Sequence, residues 1–342
     1  MNTGIAVVIV NYGASDLVLQ SLPALMLELD ALEAQNPNHD PARVFLVDNK
    51  SPDGDGDLLK QGVAAVGDDR LIFVQSPVNG GFSAGNNVAF RAIRDMDWAP
   101  EAVLLFNPDA EMKPGALIAL LEVLRETPQA GFVGPRLEDP DGSTWVGALN
   151  FPSLPGEVFN ALGLNILARH FPSVIADSDV PVRADWIAGT AVLIRGEALR
   201  DLGDMDEDYF LYYEEVDYML QGARRGWQSW HVPQALVSHI GGATTGVQNK
   251  TVRKGRMPAY WFQSWARYFA KNHGAGYARV TALGRLLGLI LGDAQRKIRG
   301  RHDPRPRHYY WDILTKIVLA RLSPPPRAAK VVPHLRDTGS SG

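Results

Sequence analysis

Ile5-Ala6-Val7-Val8-Ile9-Val10 is an unbroken apolar run that stops at the polar pair Asn11-Tyr12. β-Branched residues dominate it, and polar and apolar positions do not alternate. It therefore predicts a parallel strand buried on both faces. Residues 44–47, 71–74 and 103–106 repeat the pattern, and the first and last of these end at Asp48 and Asn107. Between them, residues 16–32, 88–96 and 117–126 carry apolar side chains at helical spacing, the first despite Pro23. Residues 51–57 read as a loop, and a glycine-rich run, 79–87, follows the third strand. This alternation predicts an α/β fold, a Rossmann-like, mostly parallel sheet flanked by helices on both faces. In such sheets ligands bind outside the carboxyl ends of the strands, where the polar residues of this chain collect.

The chain has 342 residues, 46% hydrophobic and 21% charged, which is ordinary globular usage and excludes disorder, a collagen-like repeat or a coiled coil for most of it. The absence of cysteine excludes a disulfide scaffold, a thiolate zinc site, an iron–sulfur cluster and a cysteine nucleophile, and fits a reducing compartment. A net charge of −4 hides an asymmetry. Residues 1–249 hold 15 Lys+Arg against 34 Asp+Glu, whereas residues 250–336 hold 19 against 3. The basic part predicts a polyanionic partner (nucleic acid, phospholipid headgroups or a diphosphate-bearing substrate) or docking on the acidic body.

From residue 131 the periodicity loosens. Residues 191–194 and 235–238 read as short strands and 210–223 as a helix. Residues 260–271, 276–299 and 311–322 read as basic helices, followed by Pro324-Pro325-Pro326 and a tail. No stretch reaches the roughly 18 apolar residues that span a bilayer. The nearest, residues 280–292, is short and broken by Arg285, and the first residues lack the basic region of a signal peptide. A soluble or peripheral protein is expected.

Five clusters carry candidate chemistry. Asn11, Tyr12 and Asp48 follow parallel strands, where a ring stacks on a base and a carboxylate accepts from a base N–H; loop polarity is the plainer reading. The Asn79-Gly80-Gly81 run, ending at Asn87, lets backbone approach a ligand or simply starts a helix. Asp109, in Asn107-Pro108-Asp109, suits Mg²⁺ or Mn²⁺ beside a diphosphate, or else caps the following helix. In the acidic–aromatic stretch 204–217, Glu214 and Glu215 suit a general base, although acids at a helix start are also favoured by its dipole. His239 follows a strand and suits a metal, or is structural.

In order and spacing, VVIVNYG, LVDNKSPDGDG, VNGGFSAGNNVAF, LLFNPDA, WIAGTAVLIR, GDMDEDYFLYYEEVDY and VSHIGG resemble the family 2 inverting glycosyltransferases. The similarity is to the bacterial rhamnosyltransferase-like branch, which includes galactofuranosyltransferases. It implies a GT-A fold with a basic helical extension: a catalytic domain over 1–246, split into a nucleotide-sugar half (1–130) and an acceptor half (131–246), then helices over 247–330 and a tail over 331–342. It further implies a nucleotide-sugar pocket of Asn11, Tyr12, Asp48, Asn79 and Gly80, with Asn87 near the donor. Asn107 and Asp109 match the family's D-x-D, and Asp109 and His239 its Mg²⁺ or Mn²⁺ ligands. Glu215 matches the base, and Trp186, Gly189, Thr190 and Asp217 the acceptor side. Asn107 and Glu215 each replace an Asp of the family pattern, and the second departure leaves Glu214 and Glu215 both as candidates for the base.

The resemblance implies transfer of a sugar, L-rhamnose from dTDP-rhamnose or a UDP-sugar such as galactofuranose, to a glycan or lipid-diphosphate-linked glycan of cell-surface polysaccharide. It implies a cytoplasmic protein, peripheral on the inner face of the plasma membrane. Leu283, Leu286, Leu287, Leu289, Ile290 and Leu291 then enter the lipid interface, or pack on the body or on a second copy in a homo-oligomer. The first strand is followed by NYGASD, which lacks the basic phosphate loop of a nucleotidyltransferase and the glycine fingerprint of a dinucleotide enzyme. A non-enzymatic carbohydrate-binding module leaves Asp109, Glu215 and His239 unexplained, and the acidic body disfavours nucleic acid.

Overall fold

The computed structural model describes residues 4–35, 37, 40–96, 98–163, 171–239, 255–300 and 305–322. The first half runs β1 (Ile5–Asn11), α1 (Ser15–Gln35), β2 (Arg43–Asp48), α2 (Asp55–Val66), β3 (Leu71–Gln75), α3 (Gly81–Arg94), β4 (Ala102–Phe106), β5 (Ala110–Met112) and α4 (Ala116–Glu126). Then come β6 (Ala130–Glu138), β7 (Thr144–Val146), β8 (Ala148–Leu149), α5 (Leu154–Leu162), β9 (Val182–Ala184), β10 (Trp186–Ile187), β11 (Ala191–Arg195), α6 (Gly196–Leu202), α7 (Glu214–Arg224) and β12 (Gln228–His239). The chain continues through α8 (Ala259–His273), α9 (Ala275–Ile298) and α10 (Tyr309–Ile313), which runs into a π turn at Leu314–Val318. Pro324-Pro325-Pro326, the tail and the expected domain boundary at 246 lie outside the described residues.

The main sheet has the order β3-β2-β1-β4-β11-β6-β12-β5, with β7 beside β6 and β9 beside β12. β3, β2, β1 and β4 are parallel, β11 is antiparallel to both its neighbours, and β12 is parallel to β6. All seven residues of β1 are buried. Ile5, Val7 and Ile9 pack with α1, α2 and α4 on one face; Ala6, Val8 and Val10 pack with α3 on the other. The continuous apolar run is thus the signature of a strand with helices on both sides.

Several boundaries differ from expectation. The glycine-rich run starts a helix, and earlier than the 88–96 stretch: α3 begins at Gly81. A Cβ at Gly81 (φ +85°) would strike the Phe210 carbonyl, and one at Gly85 would strike Val10. These glycines permit close approach rather than flexibility. α2 starts at Asp55, inside the expected loop, with Asp55 and Asp57 favourably placed in its first turn. α7 starts only at Glu214, because Tyr212 and Tyr213 take left-handed φ of 70° and 69°. β6 lies where the pattern loosens, and its Pro135 sits beside a register shift between Val232 and Leu236 of β12, which accommodates the missing N–H.

The basic helices are not a separate arm. α8 and α9 bury Phe262, Trp265, Tyr268, Phe269 and Leu289 in a core shared with Tyr209 and Val216 of the body. Their cations dock on its acids: Arg267 on Asp206 (2.7 Å) and Asp208 (2.6 Å), Lys271 on Asp206 (2.7 Å) and Asp217 (2.5 Å), and Arg285 on Glu157. α9 meets α5 through Gly284, Gly288 and Gly292, where an added Cβ would crowd Val158, Ala161 or Leu162. Gly288→Leu should therefore destabilise the fold by about 1–3 kcal/mol through overpacking. Leu287→Gln, at a neighbouring exposed position, should change stability by less than about 0.5 kcal/mol. Chemical denaturation of the two variants checks both.

Candidate active site

A cavity of about 670 Å³ opens at the carboxyl ends of β1 and β4 and is closed over by the loop before α7 and the start of α8. Of the expected site residues it brings together Tyr12, Asn79, Asn107, Asp109, Gly189, Thr190, Glu214, Glu215 and His239. Val10, Asn49, Phe210, Tyr212, Tyr260 and Trp261 also line it.

Strand pairing sets the Asp109–His239 contact. β5 follows Asp109 directly and pairs antiparallel with β12, with Ala110 opposite His239. Asp109 Oδ1 thereby lies 3.3 Å from His239 Nε2, and no other described donor reaches that buried oxygen. A carboxylate oxygen and an imidazole nitrogen facing one another fit Mg²⁺ or Mn²⁺, which take further oxygens from water and substrate phosphates. Among the described residues there is no group of three or more ligating side chains.

The turn at Gly189 and Thr190 joins this pair to the glutamates. The Thr190 carbonyl accepts from the Asn107 N–H (2.9 Å), and Thr190 Oγ1 lies 3.5 Å from His239 Nδ1. Gly189 lies against Glu215, whose Oε1 would be 3.7 Å from a Cβ there. Glu214 is buried and Glu215 half-buried, and Oε2 of each lacks a hydrogen-bond partner. Burial, and then the neighbouring Glu215 charge, push the Glu214 carboxyl well above its usual range; burial pushes Glu215 up to about 7.

Residues 3–257 match the family model described as glycosyltransferase-like family 2. The chain belongs to this family. Over 218 residues, 60% of this chain and 69% of the relative, it is 32% identical to the N-acetylglucosaminyl-diphospho-decaprenol L-rhamnosyltransferase of Mycobacterium tuberculosis. It is 25% identical to the rhamnosyltransferase WbbL of Escherichia coli, covering 68% of this chain and 82% of WbbL. Its fold is similar to that of the mannosyltransferase PcManGT of Pyrobaculum calidifontis (TM-score 0.52, 16% identity, 94% of this chain and 82% of that one). It is also similar to that of GalNAc-T7 (TM-score 0.56, 14% identity, 92% of this chain), of which it spans 58%. The expected GT-A fold is therefore the fold of this family 2 chain.

Other expected residues of the family 2 site fall outside the cavity lining. Asn11 is fully buried and donates to Asp55 (2.7 Å), Ser51 (3.2 Å) and Asp48 (3.3 Å), so it ties the loops after β1 and β2 together. Asp48 accepts from Gln75 (2.7 Å) and the Ser51 N–H. Asn87 faces away and holds the loop before α7 through Met205 (2.8 and 2.9 Å) and Glu207 (2.9 Å). Asp217 is taken up by Lys271 and Asn272 of α8. Trp186 lines a neighbouring cavity of about 420 Å³ and donates to the Asn150 carbonyl. Gly80 precedes α3 and is not among the lining residues.

The buried glutamates leave a signature in stability. A carboxyl whose folded pKa lies above its ordinary 4.5 contributes stability at low pH that is lost as pH rises through the folded value, here about 7. Asp206 and Glu207, held low by Lys271, Arg267, Asn87 and Arg91, act in the opposite sense and only in the acid range. Glu215→Gln should therefore raise Tm above wild type at pH 8, and the gain should vanish near pH 4. Thermal melts across that range check it.

Proposed function

We propose that the chain is a metal-dependent inverting glycosyltransferase that moves L-rhamnose from dTDP-rhamnose to a hydroxyl of a lipid-diphosphate-linked glycan. The observation that carries the reaction is the turn that sets Gly189 against Glu215 and Thr190 against His239, so that a carboxylate free to take a proton shares one cavity with the Asp109–His239 pair. The sugar and acceptor are proposed from the activity for which the M. tuberculosis relative is named.

Glu215 takes the proton of the acceptor hydroxyl. That oxygen attacks the anomeric carbon from the face opposite the nucleotide, the bond to the diphosphate breaks, and the configuration inverts. Asp109 and His239 would hold Mg²⁺ or Mn²⁺, which supplies charge neutralisation of the leaving diphosphate. Tyr12, about half-exposed at the mouth, offers a ring for the base to stack on, and Asn79, fixed by the Asn49 amide (3.1 Å), lies beside it on the donor side. Phe210, Tyr212, Tyr260 and Trp261 give the acceptor an aromatic wall.

Glu215→Gln should lower kcat by about 10²–10⁴-fold while dTDP still raises Tm in the presence of Mn²⁺. In wild type the rate should rise with pH as Glu215 loses its proton, with a midpoint near 7. A radiolabelled transfer assay with a panel of dTDP-, UDP- and GDP-sugars reads both and tests the donor. Full turnover in Glu215→Gln would move the base to Glu214, and a thermal shift with UDP but not dTDP would overturn the donor.

A further inference from the structure

α9 is amphipathic in an inverted sense. Where it meets α5 its packed face is built from small residues, Gly284, Gly288 and Gly292, with Ala278 and Ala282 fully buried beside Leu289. Six of its large apolar side chains point outward: Val280 is 56% exposed, Leu287 60%, Leu291 56% and Ile298 86%, with Leu283 and Ile290 also exposed. At about 3.6 residues per turn these six positions fall within an arc of about 100°, along roughly 27 Å of helix. A contiguous exposed apolar stripe rimmed by polar residues marks an interaction surface. Two hydrogen bonds from Arg279 to the carbonyls of Val318 and Ala320 keep Leu319, 70% exposed, at the Val280 end.

Cations flank the other end. Lys297 and Arg299 are exposed. Arg305 pairs with Asp293 of α9 (3.2 Å), which keeps the exposed Arg307 near the same helix. Residues 250–336 carry 19 basic against 3 acidic residues. An anionic lipid surface complements both the charge at this end and the apolar character of the stripe.

We propose that the outward face of α9 docks on an anionic lipid bilayer, with Leu283, Leu287, Ile290 and Leu291 entering the headgroup–acyl boundary and Lys297 and Arg299 meeting the headgroups. No helix among the described residues is long and apolar enough to cross a membrane, so this is attachment in the interfacial plane. The docking rests on α9 alone. That it brings the cavity to a lipid-borne acceptor rests on the transfer reaction proposed above.

Flotation of the full chain tests it, using vesicles of phosphatidylcholine doped with phosphatidylglycerol against pure phosphatidylcholine. The chain should float with the anionic vesicles. The double variant Leu287→Gln/Ile290→Gln should bind about tenfold more weakly with its Tm retained. Lys297→Glu/Arg299→Glu should abolish the preference for anionic lipid, and decides the matter should the first variant fail to fold. Absence of flotation by the wild-type chain, or equal flotation by the folded variants, would overturn the proposal. So would a dimer in light scattering that Leu287→Gln/Ile290→Gln dissociates, since the face would then belong to a second copy. Flotation needs no donor or acceptor, so a failed transfer assay leaves the result standing.

Discussion

Everything near the cavity depends on holding Glu214 and Glu215 away from water. Unpaired carboxylates lose several kcal/mol of hydration each when buried, so they relax toward solvent unless their helix is fixed. Here the backbone is fixed on both sides. The Phe210 carbonyl accepts from the Phe82 N–H at the start of α3, and the Cβ-free Gly81 lets the two segments meet. Tyr212 and Tyr213 then turn through left-handed φ into α7, a conformation that persists for bulky residues only where the surroundings impose it. Tyr213 packs on Tyr268, and Phe210 and Tyr212 pack on Tyr260, all through α8. The basic helices are therefore the brace of the glutamate pair.

The same brace carries the electrostatic load. Tyr209 lies under both Arg267 (5.4 Å) and Lys271 (5.6 Å), and those cations also reach Asp206 and Asp217. Asp206 would rise on burial but stays below its ordinary value because of Lys271 and Arg267. Among the described residues no such cation reaches Glu214 or Glu215, and both rise on burial. One acidic stretch thus contains carboxylates of opposite protonation behaviour, separated by which of them α8 reaches. That difference distinguishes groups that hold the loop from groups able to exchange a proton near neutrality.

The parallel half of the sheet was legible because its signal is local: β1, β2 and β4 each hold an unbroken apolar run of four residues or more. Asp109, Glu215 and His239 were legible because each sits where a strand or helix ends, and the chain order of the motifs brought them together. The rest depends on partners far away in sequence. What the glycines of α3 are for was not legible, because the Phe210 carbonyl that Gly81 accommodates lies in another segment. Asn11, Asp48, Asn87 and Asp217 are polar residues at the expected places, yet Asp55, Gln75, Glu207 and Lys271 absorb their hydrogen bonds. A polar side chain at a strand end carries no local mark of whether it faces a ligand or a loop. Tyr260 and Trp261 were missed because nothing in a helical pattern reveals that its first turn closes a distant cavity.

The charge asymmetry illustrates the same limit in another form. A strongly basic segment after an acidic body reads equally well as an arm for an external polyanion or as an internal counter-charge. The structure divides it by helix face. Arg267, Lys271 and Arg285 point inward and are neutralised by Asp206, Asp217 and Glu157, so their charge says nothing about partners. Lys297, Arg299 and Arg307 remain exposed; Lys297 lies in, and Arg299 caps, the helix that turns leucines and Ile290 outward and glycines toward α5. Composition alone overstates the attraction of this region for anions. Only the cations left over after internal pairing are available to the surroundings, and Lys297 and Arg299 sit at the end of the outward apolar stripe of α9.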